Sequence, residues 1–291
     1  MDIMIYKKKW PAVFFLFPAM LFMLIFLYYP FVMNIINSFF NTTALGAPME
    51  GFIGLENYTK LFSDPLIGVS FWNTLLMMAC TIVFQVGIAL ILSLMVDVVG
   101  KGAGFFRTLY FFPIVVSATA LGLIFNLLFA YDGGAVNQII EAFGGESIIW
   151  KEEHVFFTMA LPVMWQYVGY YFVIIATGLN NISNDINEAA AIDGAIGLKR
   201  VRYITLPLIH NTLVTCLTLA ITGALKVFDL PWTMFPMGVP SGQSFLTGSY
   251  MYYQTFNRGD VDYGATIAFL IVLLGVALSM ITKVVLKEKD Y

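Results

Sequence analysis

Long apolar runs dominate the chain. Six of them, at 12–38, 71–96, 106–130, 155–179, 208–228 and 264–286, carry almost no charge. Each reaches the roughly 20 residues that a helix needs to cross a bilayer. The runs are continuous. A membrane barrel would instead alternate apolar and polar residues over segments of about ten. Helices satisfy their own backbone hydrogen bonds in lipid. The pattern therefore predicts an all-α, polytopic membrane protein with six transmembrane helices.

Composition agrees. Hydrophobic residues make up 59% of the chain and charged residues 11%, against about 25% charged in a soluble domain. The first run follows Lys7, Lys8 and Lys9, as a signal peptide would. It is longer than a secretory apolar core of about 7–15 residues, and no small-x-small cleavage site follows it, so it reads as a retained anchor. Lys7, Lys8, Lys9, Lys101, Arg107, Lys199, Arg200, Arg202, Lys283, Lys287 and Lys289 fall on one side of this topology. Lys60, Lys151, Lys226 and Arg258 fall on the other. The positive-inside rule then puts both termini in the cytoplasm. The external loops are acidic. That bias fits either free translocation of carboxylates or a surface made for a partner.

Reactive chemistry is sparse. Cys80 and Cys216 lie inside apolar runs, and His154 and His210 have no metal-ligand spacing, so no disulfide framework or metal site is expected. "VVGKGAG" has Gly100 and Lys101, but it fails the phosphate-loop pattern at Met95 and Gly102. No hydrolase or zinc-protease motif occurs. Asp97, Lys226 and Asp229 sit near the ends of their runs. Ion-coupled transporters keep charged groups at mid-membrane depth, so a self-contained secondary transporter is disfavoured. Gln85, Asn126 and Gln166 inside the runs read as helix–helix glue.

The loop between the fourth and fifth runs contains "NEAAAIDGAIGLKRVRYITLPLI". Asn184 can cap a helix whose first turns carry Asp185 and Glu188. Ala189, Ala190 and Ala191 favour helix and leave a face with little bulk. Gly194 and Gly197 interrupt it. Lys199, Arg200 and Arg202 follow on the wet side, and Pro207 suits the first turn of the next helix. A structured loop of this length points to function. Its weakly apolar face favours a protein partner over a lipid surface.

This stretch resembles the EAA motif of the membrane subunits of binding-protein-dependent ABC importers. The pattern is E-A-A, three residues, G, nine residues, I-x-L-P. It is matched by Glu188, Ala189, Ala190, Gly194, Ile204, Leu206 and Pro207. "GFIGLENYTKLF", "FWNTLLM", "FRTLYFFPIVVS" and "VDYGATIAFLIVLL" are similar to segments of the carbohydrate-uptake branch (maltose, multiple-sugar and glycerol-3-phosphate types) in its first-permease layout. "MGVPSGQSF" departs from the branch's Gly-Gly-Pro turn, with Val239 between Gly238 and Pro240.

The resemblance implies a type I importer permease fold in a prokaryotic cell membrane. It also implies a permease core over 69–283 with a coupling loop at 180–207. Residues 1–68 then hold the N-terminus, first helix and first external loop, and 284–291 form a tail. The chain would be a non-catalytic subunit without its own cofactor, with ATP and Mg²⁺ held by a partner ATPase dimer. A second permease, an extracytoplasmic solute-binding protein and the bilayer complete the expected partners, with no nucleic acid. Glu188, Ala189, Ala190, Asp193, Gly194, Ile204, Leu206 and Pro207 would couple to the ATPase.

In "MWQYVGYYF", Trp165, Gln166 and Tyr170 combine flat faces with polar edges, as a sugar requires. With Lys226 and Asp229 they are the expected lining of the path, and the family places Tyr170 at a central cavity. Tyr171 is expected in packing or an interfacial belt. Lys226 and Asp229, three residues apart, would neutralise one another on a helix. The expected cargo is therefore a neutral oligosaccharide, with glycerol-3-phosphate or a related small solute as the alternative.

Overall fold

A computed structural model describes residues 10–42, 44–99 and 102–286. Lys7, Lys8, Lys9, Lys101, Lys287 and Lys289, used above for orientation, lie outside them. The described chain is helical apart from loops and one antiparallel pair of two-residue strands, Phe40–Asn41 and Gly51–Phe52. Two compact units are present, one made of Met1–Ser63 with Met251–Leu270, the other of Asp64–Tyr250 with Ile271–Tyr291.

In the first unit, the apolar helix Trp10–Asn37 buries none of its residues. A helix apolar on every side with no protein cover is what lipid solvates. Beyond it, the short helix Glu56–Ser63 is fastened to the start of the last span, Val261–Leu286, and to Asp260 just before it. Asn57 Nδ2 donates to Asp262 Oδ2 at 3.0 Å. Lys60 Nζ lies 3.6 Å from Asp260 Oδ2 and 4.0 Å above the Tyr263 ring.

The second unit is organised around the helix Val155–Asn180. Its most apolar stretch is 61% buried, against 33% for Pro65–Val98 and for His210–Met234, so this helix is the spine and the others pack on it. Gly169 permits the closest approach: a Cβ there would overlap the Tyr110 carbonyl oxygen. Ser93 Oγ donates to the Phe172 carbonyl at 3.1 Å and Gln85 Nε2 to the Val163 carbonyl at 2.8 Å, both buried. Gln85 thus does join two helices, as its place in an apolar run implied.

Three boundaries differ from the hydropathy reading. The second span starts at Pro65 rather than 71. Asp64 caps it by accepting from Leu66 N at 2.9 Å, and Pro65 occupies the first turn. The third run is not one helix. Ala103–Val115 and Ala118–Leu128 meet at 90°. Val116 and Ser117 are extended, and Ser117 Oγ caps the second piece by accepting from Ala120 N at 3.2 Å. Among the described residues, five helices, the interrupted His210–Met234 included, are long enough to span alone, and six spans result only if the bent pair counts as one. The fifth run also breaks. His210–Ala224 is followed by non-helical residues 225–228 and then by Asp229–Met234. Apolarity alone hides both breaks.

The loop before the spine helix is tied by Asn137, which donates to the Tyr131 and Ile148 carbonyls and accepts from Trp150 Nε1 at 2.9 Å. Lys151 donates to Asn126 Oδ1, and burial pulls its ammonium below the usual lysine pKa.

Candidate functional site

Two places in the second unit carry the expected site residues. The first is a cavity of about 330 Å³, near the lower end of the roughly 300–1,000 Å³ typical of small-molecule sites. Gln166, Tyr167, Tyr170, Thr81, Gln85 and Thr222 supply polar edges to its wall, and Lys226 and Asp229 also line it. The spine helix runs through regularly, while the second, third and fifth spans around the cavity depart from regularity there. The helical turn widens over Thr81–Val86, a feature frequent at functional sites. The bend at Val116 frees a carbonyl, which Gln166 Nε2 meets at 3.4 Å. The gap at 225–228 carries Lys226.

Gln166, Tyr170, Lys226 and Asp229 therefore come together. Trp165 does not join them. One residue turns about 100° around a helix axis, which sends Trp165 into a separate apolar groove beside Phe84, Leu161 and Met164, with its ring edge-on to Phe125 at 5.8 Å. Tyr167, three residues before Tyr170, takes its place at the cavity. Gln166 and Tyr167, four and three residues before Tyr170, share its face, and that spacing was the available signal. Tyr171, only 4% exposed, belongs to the core and closes the cavity's inner wall.

Lys226 and Asp229 are not the helical pair that their spacing implied. The backbone between them is non-helical, with Phe228 at φ −144°. Among the described residues no ion pair within 4.0 Å joins them. Both are exposed to the cavity.

The second place is the loop after the spine. Its helix runs Asn184–Ile192, and its cap is Ser183 rather than Asn184, with Ser183 Oγ accepting from Ile186 N at 3.4 Å. The helix ends in a Schellman turn. Ala195 N donates to the Ala190 carbonyl at 2.8 Å and Gly194 N to the Ala191 carbonyl at 3.1 Å, with Gly194 at φ +74°. Only glycine adopts that backbone at no steric cost.

The motif residues divide into two sets. Glu188, Ala189, Asp193 and Gly194 are exposed, while Ala190 is buried and Ile204, Leu206 and Pro207 are half-buried. Leu206 packs against the core around Phe172 and Ile209. The first set faces outward and the second fastens the loop to the helices. Ile192, 87% exposed, and Leu198, 83% exposed, add an apolar surface that was not anticipated.

The segment 101–288 matches the family described as "Binding-protein-dependent transport system inner membrane component". The chain belongs to this family. As an inner membrane component it is a multi-pass membrane protein and a transport subunit. It is 30% identical to the probable ABC transporter permease protein YurN of Bacillus subtilis, over 95% of this chain and 96% of that one. It is also 30% identical to the sulfoquinovosyl glycerol transport system permease protein SmoG of Agrobacterium fabrum, over 96% and 91%. The arabinooligosaccharides permease AraP of Bacillus subtilis is 29% identical over 95% and 88%. A crystal structure of a bacterial ABC transporter that imports the acidic polysaccharide alginate contains a chain of the same fold. Its TM-score is 0.84 at 19% identity, over 97% of this chain and 96% of that one. The bent third span and broken fifth span thus belong to a permease subunit of the ABC importer type.

Proposed function

We propose that this permease subunit forms one wall of the path for a sugar. An extracytoplasmic binding protein delivers the sugar, a second permease supplies the facing wall, and an ATPase dimer on a separate chain drives transport. The carrying observation is the cavity that gathers Gln166, Tyr167 and Tyr170 between three irregular helices. Tyrosine faces match the C–H faces of a sugar, and amide and hydroxyl groups match its hydroxyls. The sugar-related names of SmoG and AraP support the same substrate class. Lys226 and Asp229 cancel in net charge, which favours a neutral oligosaccharide over glycerol-3-phosphate. Their separation supports a second reading, in which Lys226 meets an acidic sugar and Asp229 orients it.

The exposed helix around Glu188 would dock on the ATPase, where ATP and Mg²⁺ are held. Closure of the ATPase dimer would then rotate the attached helices as rigid bodies and switch access across the membrane. Both termini lie in the cytoplasm on this reading.

The test is uptake by proteoliposomes containing the assembled complex, with neutral and acidic sugars in competition. ATP-dependent uptake that requires the binding protein is expected. Robust uptake by this chain alone, driven by an ion gradient, would overturn the proposal in favour of a secondary transporter.

A further inference from the structure

The cytoplasmic loop is joined by the backbone to the fourth and fifth spans only. A push on its helix would reach those two directly, whereas the cavity also needs Thr81 and Gln85 from the second span. One side-chain contact joins the loop to the second span directly. Arg200, three residues past the left-handed Gly197, places Nη2 3.0 Å from Asp97 Oδ2 at the end of the second span. The two residues lie 103 positions apart in sequence.

Above Asp97 the second span is stapled to the spine at two heights, by Ser93 to the Phe172 carbonyl and by Gln85 to the Val163 carbonyl. Ala89 between them is fully buried in the same packing. A displacement at Arg200 thus meets a closely packed element that lines the cavity at Gln85 and Thr81. At the other end of the loop, Arg107 Nη2 reaches Asn180 Oδ1 at 3.3 Å, a longer contact and one to a neutral amide.

We propose that the Arg200–Asp97 ion pair is a transmission strut, which makes the second span move with the cytoplasmic loop so that both sides of the cavity respond to the ATPase. The proposal rests on the transport reading above. Arg200 and Asp97 are positioning residues and touch no substrate. Each side chain is about 30% exposed, which places the pair in the range of surface ion pairs. Arginine suits the task because its planar fork keeps direction, whereas lysine would act as a point charge. Physical adjacency alone does not demonstrate coupling; a double-mutant cycle does.

The experiment uses the complete complex in proteoliposomes. It compares wild type with Asp97→Arg, Arg200→Asp and the double swap, and with the milder Asp97→Asn and Arg200→Gln in case a reversal blocks assembly. Sugar uptake and binding-protein-stimulated ATP hydrolysis are measured per assembled complex. Each single change should lower uptake per ATP hydrolysed by roughly fivefold, the factor that an ion pair at the upper end of the surface range sustains. Hydrolysis should persist, and the swap should restore most of the ratio. An unchanged ratio in the single variants would overturn the strut, as would a proportional fall of uptake and hydrolysis or a swap that fails to rescue. A wild-type complex that takes up no sugar would instead refute the transport reading, and the strut with it.

Discussion

Gly194 separates two explanations of the same motif. One is steric: a partner groove approaches so closely that only hydrogen fits. The other is conformational: the loop helix can end only through a left-handed residue. A Cβ at Gly194 meets nothing within 4 Å in this chain, yet φ is +74°. The penalty of substitution within the subunit is therefore purely conformational. An L-residue in that region costs about 1–2 kcal/mol, and asparagine less, because its side chain can bond locally. Failure of the turn would also loosen two backbone hydrogen bonds of 2.8 and 3.1 Å, each worth about 0.5–1.5 kcal/mol. One to two kcal/mol shifts a population by roughly 5–30-fold.

The conformational account ranks variants Gly, Asn, Ala, Val from best to worst. The steric account ranks them by size, with Ala ahead of Asn. Amide exchange over 188–198 and uptake per assembled complex should both follow the first order. If Gly194→Ala transports better than Gly194→Asn while exchange is unchanged, the backbone argument fails and the groove decides. Equal behaviour of all four would refute both.

Three further outcomes are expected. Tyr170→Phe and Tyr167→Phe should each lower uptake a few-fold per complex, as the loss of one hydrogen bond of about 1 kcal/mol implies, whereas Trp165→Leu should leave uptake intact because its ring faces the apolar groove; the reverse pattern would move the path to that groove. Gly169→Ala should lower thermal stability in detergent by roughly 1–3 kcal/mol through overlap with the Tyr110 backbone, while Gly223→Ala, whose Cβ would stand 3.8 Å from Tyr171 Oη, should be silent. Cysteines placed at 186 and at 143 should react with impermeant reagents from opposite sides of the membrane, with 186 cytoplasmic; labelling from one side would overturn the orientation.

Much of the architecture was written in apolar run length, because lipid demands continuous helices and the chain has few other options. The loop was legible for a different reason: Ala189–Ala191, Gly194 and Pro207 each carry a local backbone preference that needs no tertiary context. What stayed hidden depends on contacts distant in sequence. Val116 and Ser117 look like any apolar-to-small transition, and the break becomes affordable only because Gln166 from another helix meets the freed carbonyl. The choice between Trp165 and Tyr167 turns on the rotation of one helix, which packing at Gly169 fixes. Ser183 outcompetes Asn184 as the cap by one residue, within the ordinary uncertainty of helix ends. Arg200 and Asp97 each look like solvated loop charges until the fold brings them together.

The gap at residues 225–228 bears on how the subunit handles its cargo. Hydrocarbon does not accept irregular backbone; such a stretch persists at membrane depth only under protein or against water. The cavity beside it, with two charged side chains on its wall, is therefore a place that does not dewet. A solute entering it would keep part of its hydration on the polar edges while its apolar faces meet the tyrosine rings.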